Sequence, residues 1–190
     1  MAAEGYALGD PPAMPADAEQ GIPPIVLSFS ASDPTGGAGA QADLLTLASM
    51  GCHPLSVVTA LTVQDTHGVA LLDAVDAARV RMQAERLLAD TRVAAIKVGL
   101  LGSAANVQAV AALLAEHAEI PVVLDPVLAS GRGDVLANDE VIAALRELIV
   151  PQSTVVTPNS IEARRLANAS SLAQSAHRLV ERGAEYVLVT

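Results

Sequence analysis

Short apolar runs closed by glycine, proline or polar clusters alternate along this chain with longer stretches in which apolar residues recur every three or four positions. The short runs lie at residues 25–30, 55–63, 94–98, 122–124, 154–157 and 186–190. The longer ones lie at 40–50, 74–89, 104–117, 139–150 and 161–182, the last long enough to contain a break. A run of that length bounded by turn residues reads as a strand, and the three-to-four spacing reads as an amphipathic helix. Near-continuous apolar strands alternating with helices predict an α/β fold, with a mostly parallel sheet covered by helices on both faces and right-handed crossovers. Ligands of such sheets bind beyond the carboxyl ends of the strands.

Polar and glycine residues gather at those ends. The first strand runs into Ser32 to Gly39, the second into Gln64-Asp65-Thr66-His67-Gly68, and the third into Gly99-Leu100-Leu101-Gly102-Ser103. The fourth runs into Asp125-Pro126-Val127 and the fifth into Pro158-Asn159-Ser160. One pocket at one edge of the sheet can collect them all.

Composition narrows the picture. The chain has 190 residues, 52% hydrophobic but only 2% aromatic, so its core is Ala, Leu and Val packing. Eleven basic residues face 21 acidic ones, for a net charge of −10, and Lys97 is the only lysine. That balance argues against nucleic-acid or anionic-membrane partners. The single cysteine, Cys52, excludes an intrachain disulfide and a cysteine-based zinc site, and is expected as a small buried thiol. His53, His67, His117 and His177 show no metal spacing. Residues 1–24 are rich in Ala, Pro, Gly and acids without apolar periodicity, and are expected to be a disordered tail ahead of a domain at 25–190. With neither a secretory signal nor an 18-residue apolar run, the chain is expected to be cytoplasmic.

The stretch Ser32-Asp33-Pro34-Thr35-Gly36-Gly37-Ala38-Gly39-Ala40-Gln41-Ala42-Asp43 is the richest in candidate chemistry. A glycine-rich turn between strand and helix lets backbone N–H groups approach a ligand and aims a helix N-terminus at it. Gly37 to Ala42 also fits G-x-G-x-x-A, and Asp65 follows at roughly the ~20-residue distance of a ribose-binding carboxylate. That fingerprint needs its first glycine directly off the strand, whereas Ser30 to Gly36 intervene here. Neither a P-loop nor a G-x-S-x-G elbow occurs.

Each remaining candidate has a structural reading beside a functional one. Asp43 is either an acid near the positive end of a helix dipole or a pocket carboxylate. Gln64 is either a turn residue or an amide that pairs with a heterocycle edge. Asp125 either caps its loop or stands in an active site at a strand's end. Asn159 and Glu162 match a capping box, which is compatible with phosphate binding at the same helix N-terminus. Lys97, inside an apolar strand, must snorkel or pair with an acid, Asp125 being a possible partner.

The Ser32 to Asp43 stretch resembles the opening signature of the hydroxymethylpyrimidine/phosphomethylpyrimidine kinases of thiamine biosynthesis, members of the ribokinase-like superfamily. Further matches follow in order: Thr59-Ala60-Leu61-Thr62-Val63-Gln64-Asp65-Thr66, Lys97-Val98-Gly99-Leu100-Leu101, Leu124-Asp125-Pro126-Val127 and Thr157-Pro158-Asn159-Ser160-Ile161-Glu162-Ala163. The resemblance covers residues 25 to 190 and implies a three-layer α/β/α fold that is C-terminally incomplete. It implies that Gln64 hydrogen-bonds an aminopyrimidine ring, that Asp43 and the Gly37, Ala38 and Gly39 loop line the pocket around a hydroxymethyl group, and that Leu100 and Val127 contact the substrate. It implies that Asp125, Asn159 and Glu162 organise Mg²⁺ and the phosphates of ATP, with Asp125 and Glu162 nearest the metal. ATP would phosphorylate the hydroxymethyl group and then the monophosphate.

The family commonly carries a lysine where this chain reads Ala129-Ser130-Gly131-Arg132-Gly133-Asp134, and Arg132 could supply that charge. The family's Gly-Thr-Gly-Cys anion-hole loop, with its catalytic group, would come after Thr190, so no catalytic residue is assigned within residues 1–190 and this chain alone is expected to be inactive. Dimers are common in the family, although no interface is legible here. A pyridoxine or pyridoxal kinase of the same superfamily and a non-catalytic ligand-binding fragment are the alternatives.

Overall fold

A computed structural model of the chain describes residues 21–131 and 133–190. The tail expected at 1–24 falls outside the described residues up to position 20, as does Arg132.

Seven strands form one sheet in the order β3-β2-β1-β4-β5-β6-β7. They are β1 (Ile25–Ser32), β2 (His53–Gln64), β3 (Val69–Ala74), β4 (Ala95–Val98), β5 (Val122–Leu124), β6 (Val155–Val156) and β7 (Tyr186–Val187). Every pairing is parallel except β2 with β3. The helices are α1 (Gly39–Ser49), α2 (Ala77–Asp90), α3 (Ala104–Glu116), α4 (Asp139–Ala144), α5 (Ser160–Ala167) and α6 (Leu172–Glu181). A π turn at Leu145–Ile149 and a 3-10 turn at Val150–Gln152 prolong α4, and Pro151 cannot carry a longer helix.

Helix starts follow the side chains that cap them. Asp76, Ser103, Asn138, Asn159 and Ser171 each accept a backbone N–H from the first turn of α2 through α6. The break expected within 161–182 falls where Asn168 adopts a left-handed conformation, with φ 50°.

One expectation needs correction. The helix placed at 74–89 begins at Ala77, because Ala74 ends β3, an antiparallel strand joined to β2 by the turn at Asp65 to Gly68. Weak alternation in Val69-Ala70-Leu71-Leu72-Asp73-Ala74 hid it, and its pairing with β2 rather than its own pattern makes it a strand. The helices cover both faces of the sheet as expected, but unequally. Connections β4 to β5, β5 to β6 and β6 to β7 all move one way along the sheet, while β1 to β2 moves the other way. Right-handed crossovers therefore put α3 to α6 on one face, where α2 packs against α3, and leave α1, among the described residues, by itself on the other.

The core agrees with that division. Leu27, Phe29, Val57, Ile96, Val98, Val122, Leu124 and Val156 of the strands pack with Val80, Val107, Leu113, Leu145, Leu166 and Leu179 of the helical elements. No α1 residue belongs to this cluster. On the α1 face, strand register lines up Ser28, Lys97, Val123, Val155 and Tyr186 across five strands. This row is polar under α1 and apolar beyond it, and Tyr186 is 66% exposed. Cys52, expected as buried, is half-buried.

Candidate active site

The glycine-rich turn is built around one buried acid. Asp33 Oδ1 accepts the Thr35 amide at 2.8 Å, and Oδ2 accepts the Ala38 amide at 2.9 Å and the Thr35 hydroxyl at 3.0 Å. The carboxylate thus organises the amides ahead of α1, whose own N-cap, Ala38, has no side chain to do so. Gln41 ties the other side: its Oε1 accepts the Asp33 amide at 2.9 Å and its Nε2 donates to Ser32 Oγ at 2.8 Å. Gly39 has φ 62°, and a Cβ there would lie 2.4 Å from the Ala31 carbonyl oxygen. Only glycine lets the chain turn so close to β1.

Beyond the carboxyl ends of β1, β2, β4 and β5 lies a cavity of about 270 Å³. Its floor is polar, with Ser30, Asp43, Lys97 and Asp125, while Val69, Leu100, Val127 and Leu136 supply apolar walls. The segment after β5 folds back through an Ala129–Val135 bridge, and Asp134 Oδ2 accepts the Val69 amide at 3.1 Å. That contact joins the segment to the β2–β3 hairpin across the mouth. The loop bearing Leu100 is fastened from below: Thr59 Oγ1 donates to the Leu100 carbonyl at 2.5 Å, and the buried Asn106 amide donates to the Leu101 carbonyl at 2.8 Å.

Among the residues expected at the site, Ala38, Gly39, Asp43, Gln64, Leu100, Asp125 and Val127 line this cavity. Gly37 does not. Asn159 and Glu162 sit apart from it at the start of α5, where the expected capping box is present. Glu162 accepts the amides of Asn159 at 2.9 Å and Leu128 at 3.3 Å, so it also fastens the loop after β5 to the loop after β6. The Gln64 amide makes no hydrogen bond to any described residue and is open to a ligand.

Lys97 pairs first with Asp43, at 2.9 and 3.1 Å, and lies 3.9 Å from Asp125, the partner expected from sequence. Both acids thus pair with Lys97, and Asp43 takes the nearer place for a geometric reason. Lys97 is on the α1 face, and Asp43 reaches down from α1 directly above it. Sequence reading missed Ser28 and Ser30, both buried, which donate to Asp43 Oδ2. The signal was present in Ser28-Phe29-Ser30-Ala31-Ser32, where serine alternates with apolar residues at the strand period of two.

The charges follow from these partners. Burial raises the Asp43 carboxyl, but hydrogen bonds from Ser28 and Ser30 and the Lys97 ammonium outweigh it and hold the acid below its ordinary value. Asp125 is raised, chiefly by burial and further by the Asp43 charge, against the pull of Lys97. Glu162 is raised by burial and by Asp125, against the two amides that it accepts. In the cavity floor Asp43 is therefore firmly ionised, and Asp125 is easier to protonate.

Solved structures of small-molecule kinases share this fold. A phosphomethylpyrimidine kinase from Clostridium difficile superposes with a TM-score of 0.81 at 28% identity, over 87% of this chain and 74% of that one. A pyridoxal kinase from Staphylococcus aureus, solved in complex with pyridoxal, superposes with a TM-score of 0.79 at 26% identity, over 88% and 64%. The architecture is thus that of the ribokinase-like kinases. In sequence, a hydroxymethylpyrimidine/phosphomethylpyrimidine kinase from Streptomyces coelicolor is 42% identical over 144 residues, which is 76% of this chain and 53% of that protein. The phosphomethylpyrimidine kinase family model matches residues 33–190, and the chain belongs to that family. It spans between 18% and 65% of the length of the curated relatives. No helix among the described residues is long and apolar enough to cross a membrane.

Proposed function

We propose that this chain supplies the substrate pocket of an ATP-dependent kinase acting on 4-amino-5-hydroxymethyl-2-methylpyrimidine and on its monophosphate, in thiamine biosynthesis. The observation that carries this reading is the free Gln64 amide, which faces a cavity with apolar walls and an ionised Asp43 in its floor. An aminopyrimidine edge offers the donor and acceptor that a carboxamide matches. A hydroxymethyl group offers a donor to Asp43.

Mg²⁺ takes oxygen ligands and is usually held by one or two carboxylates together with substrate phosphates. Among the described residues no three His, Cys, Asp or Glu side chains gather as a metal cage. The Asp125 carboxylate accepts no hydrogen bond from a described residue, whereas both Glu162 carboxylate oxygens already accept amides. This donor set fits a metal carried on nucleotide phosphates, which Asp125 would hold with Glu162 beside it. When bound, Mg²⁺ neutralises phosphate charge. Asn159 and the start of α5 would face the phosphates.

Calorimetry on residues 1–190 tests the substrate assignment. Gln64→Ala strands polar atoms of the bound ring and is expected to weaken binding by about 1–3 kcal/mol. Equal affinity for both proteins refutes the role of Gln64. The similarity to a pyridoxal kinase supports a second reading, in which pyridoxal is the better ligand. The same titration with pyridoxal decides between them. The resemblance places the anion-hole loop after Thr190, and losing even one oxyanion donor costs about 10²–10³ in rate. Phosphorylation is therefore expected from a chain extended through that loop and not from residues 1–190 alone.

A further inference from the structure

We propose that Lys97 is a positioning residue whose ammonium orients the Asp43 carboxylate, and that this pair sets the pocket's preference for a ring carrying hydroxymethyl over the same ring carrying methyl. The inference rests on the substrate assignment above and deepens it.

Lys97 is the only lysine of the chain and sits in the middle strand of the sheet, inside the cavity floor. Its side chain is 21% exposed and that of Asp43 is 18% exposed. A pair so far withdrawn from water gives little net stability over an apolar pair of the same size. The cavity walls show that apolar side chains are available at this level of the fold. The sheet also makes room for the ammonium: a Cβ on Gly99 would lie 2.6 Å from Lys97 Nζ.

The two Asp43 oxygens are used unequally. Oδ2 accepts the hydroxyls of Ser28 and Ser30 as well as Nζ, at 2.6 Å for Ser28 and 2.9 Å for Nζ. Oδ1 accepts only Nζ, at 3.1 Å. Bridging by one ammonium, with two serines beneath, fixes the rotation of the carboxylate and leaves Oδ1 with an open acceptor site. A hydroxyl on a bound ring can donate to that site, whereas a methyl in its place leaves the charged acceptor unpaired. Asp125, 3.9 Å from the same ammonium, is too distant to replace Asp43 in this role.

The test is a double-mutant cycle read as a ligand preference. Wild type, Lys97→Met, Asp43→Asn and the double variant are titrated by calorimetry with 4-amino-5-hydroxymethyl-2-methylpyrimidine and with 4-amino-2,5-dimethylpyrimidine. Circular dichroism identifies conditions in which each is folded, and Lys97→Gln replaces Lys97→Met if the latter does not fold. A hydrogen bond to a charged group predicts at least a tenfold preference for the hydroxymethyl ring in wild type. Each single variant is expected to reduce it to within about threefold of unity, with no further change in the double variant, because coupled residues are not additive. Affinity for the dimethyl ring should stay level or rise, whereas a merely structural role of Lys97 would lower both affinities alike. A Lys97 variant that keeps the wild-type preference, or losses that add in the double variant, overturns the proposal. If wild type binds both rings equally, the preference does not exist and the proposal falls while the substrate assignment stands. If wild type binds neither, both fall.

Discussion

The two faces of the sheet are made of different material. Towards α2 to α6, the strands present Leu27, Phe29, Val57, Ile96, Val98 and Leu124, all essentially inaccessible to water. Towards α1, the same strands present Ser28, Ser30 and Lys97 at the centre and Val123, Val155 and Tyr186 further along. One face stabilises the fold and the central part of the other lines the cavity. A strand directs successive side chains to opposite faces, so a single sequence can serve both needs without compromise at either. The difference also explains α1. It buries little apolar surface, with Leu45 70% exposed, and is held by the Asp43 network and by Asp33 at its start.

The comparison breaks most readily at Phe29. Phe29→Ala empties a site in the helix-covered face and is expected to cost about 4 kcal/mol in urea unfolding. Val123→Ala on the opposite face should cost about 1 kcal/mol or less. Equal losses would mean that the faces do not divide the work as described.

Asp43→Asn tests the polar centre and should cost about 3 kcal/mol at pH 7, because it leaves the buried Lys97 ammonium without its charge partner and puts an amide NH₂ where a carboxylate oxygen accepted. Asp43 titrates below its ordinary 3.8, so its contribution is complete above that pH and is lost as the pH falls through the folded value. The gap between wild type and variant should therefore close in acid, and a gap independent of pH would contradict an ionised Asp43.

A smaller effect is expected at the capping box. Asn159→Ala removes the acceptor for the Ile161 and Glu162 amides, at 2.9 and 3.0 Å, and should lower stability by about 1 kcal/mol while leaving pyrimidine binding unchanged. Calorimetry with the ring alone separates this end of the site from the cavity. The smallest change in stability is expected at the uncovered part of the α1 face. Tyr186→Ser should alter unfolding by no more than about 0.5 kcal/mol yet reduce the binding of a dye that reports exposed apolar surface.

Much of this architecture can be read along the chain. Strand and helix periods are local, and so are the capping side chains of α2 to α6, so element type and order follow from neighbours in sequence. The strand ends that line the cavity could be named for the same reason: a parallel sheet puts the carboxyl ends of consecutive strands on one edge. The β2–β3 hairpin was not legible, since Val69 to Ala74 is a strand only by virtue of its pairing with Ala60 to Gln64. Nor was the partner of Lys97. Fifty-four positions separate it from Asp43, and the choice between Asp43 and Asp125 depends on which face of the sheet each reaches.

The sequence by itself therefore determined the alternation of elements, the glycine-rich turn and the presence of Asp43, Gln64 and Asp125 at one edge, because each is set by residues a few positions apart. Only the tertiary structure decided that α1 lies alone on its face, that Ser28, Ser30 and Lys97 converge on one carboxylate, and that Glu162 fastens two loops instead of lining the cavity. Those outcomes depend on crossover handedness and strand register, which bring together residues that no local pattern relates.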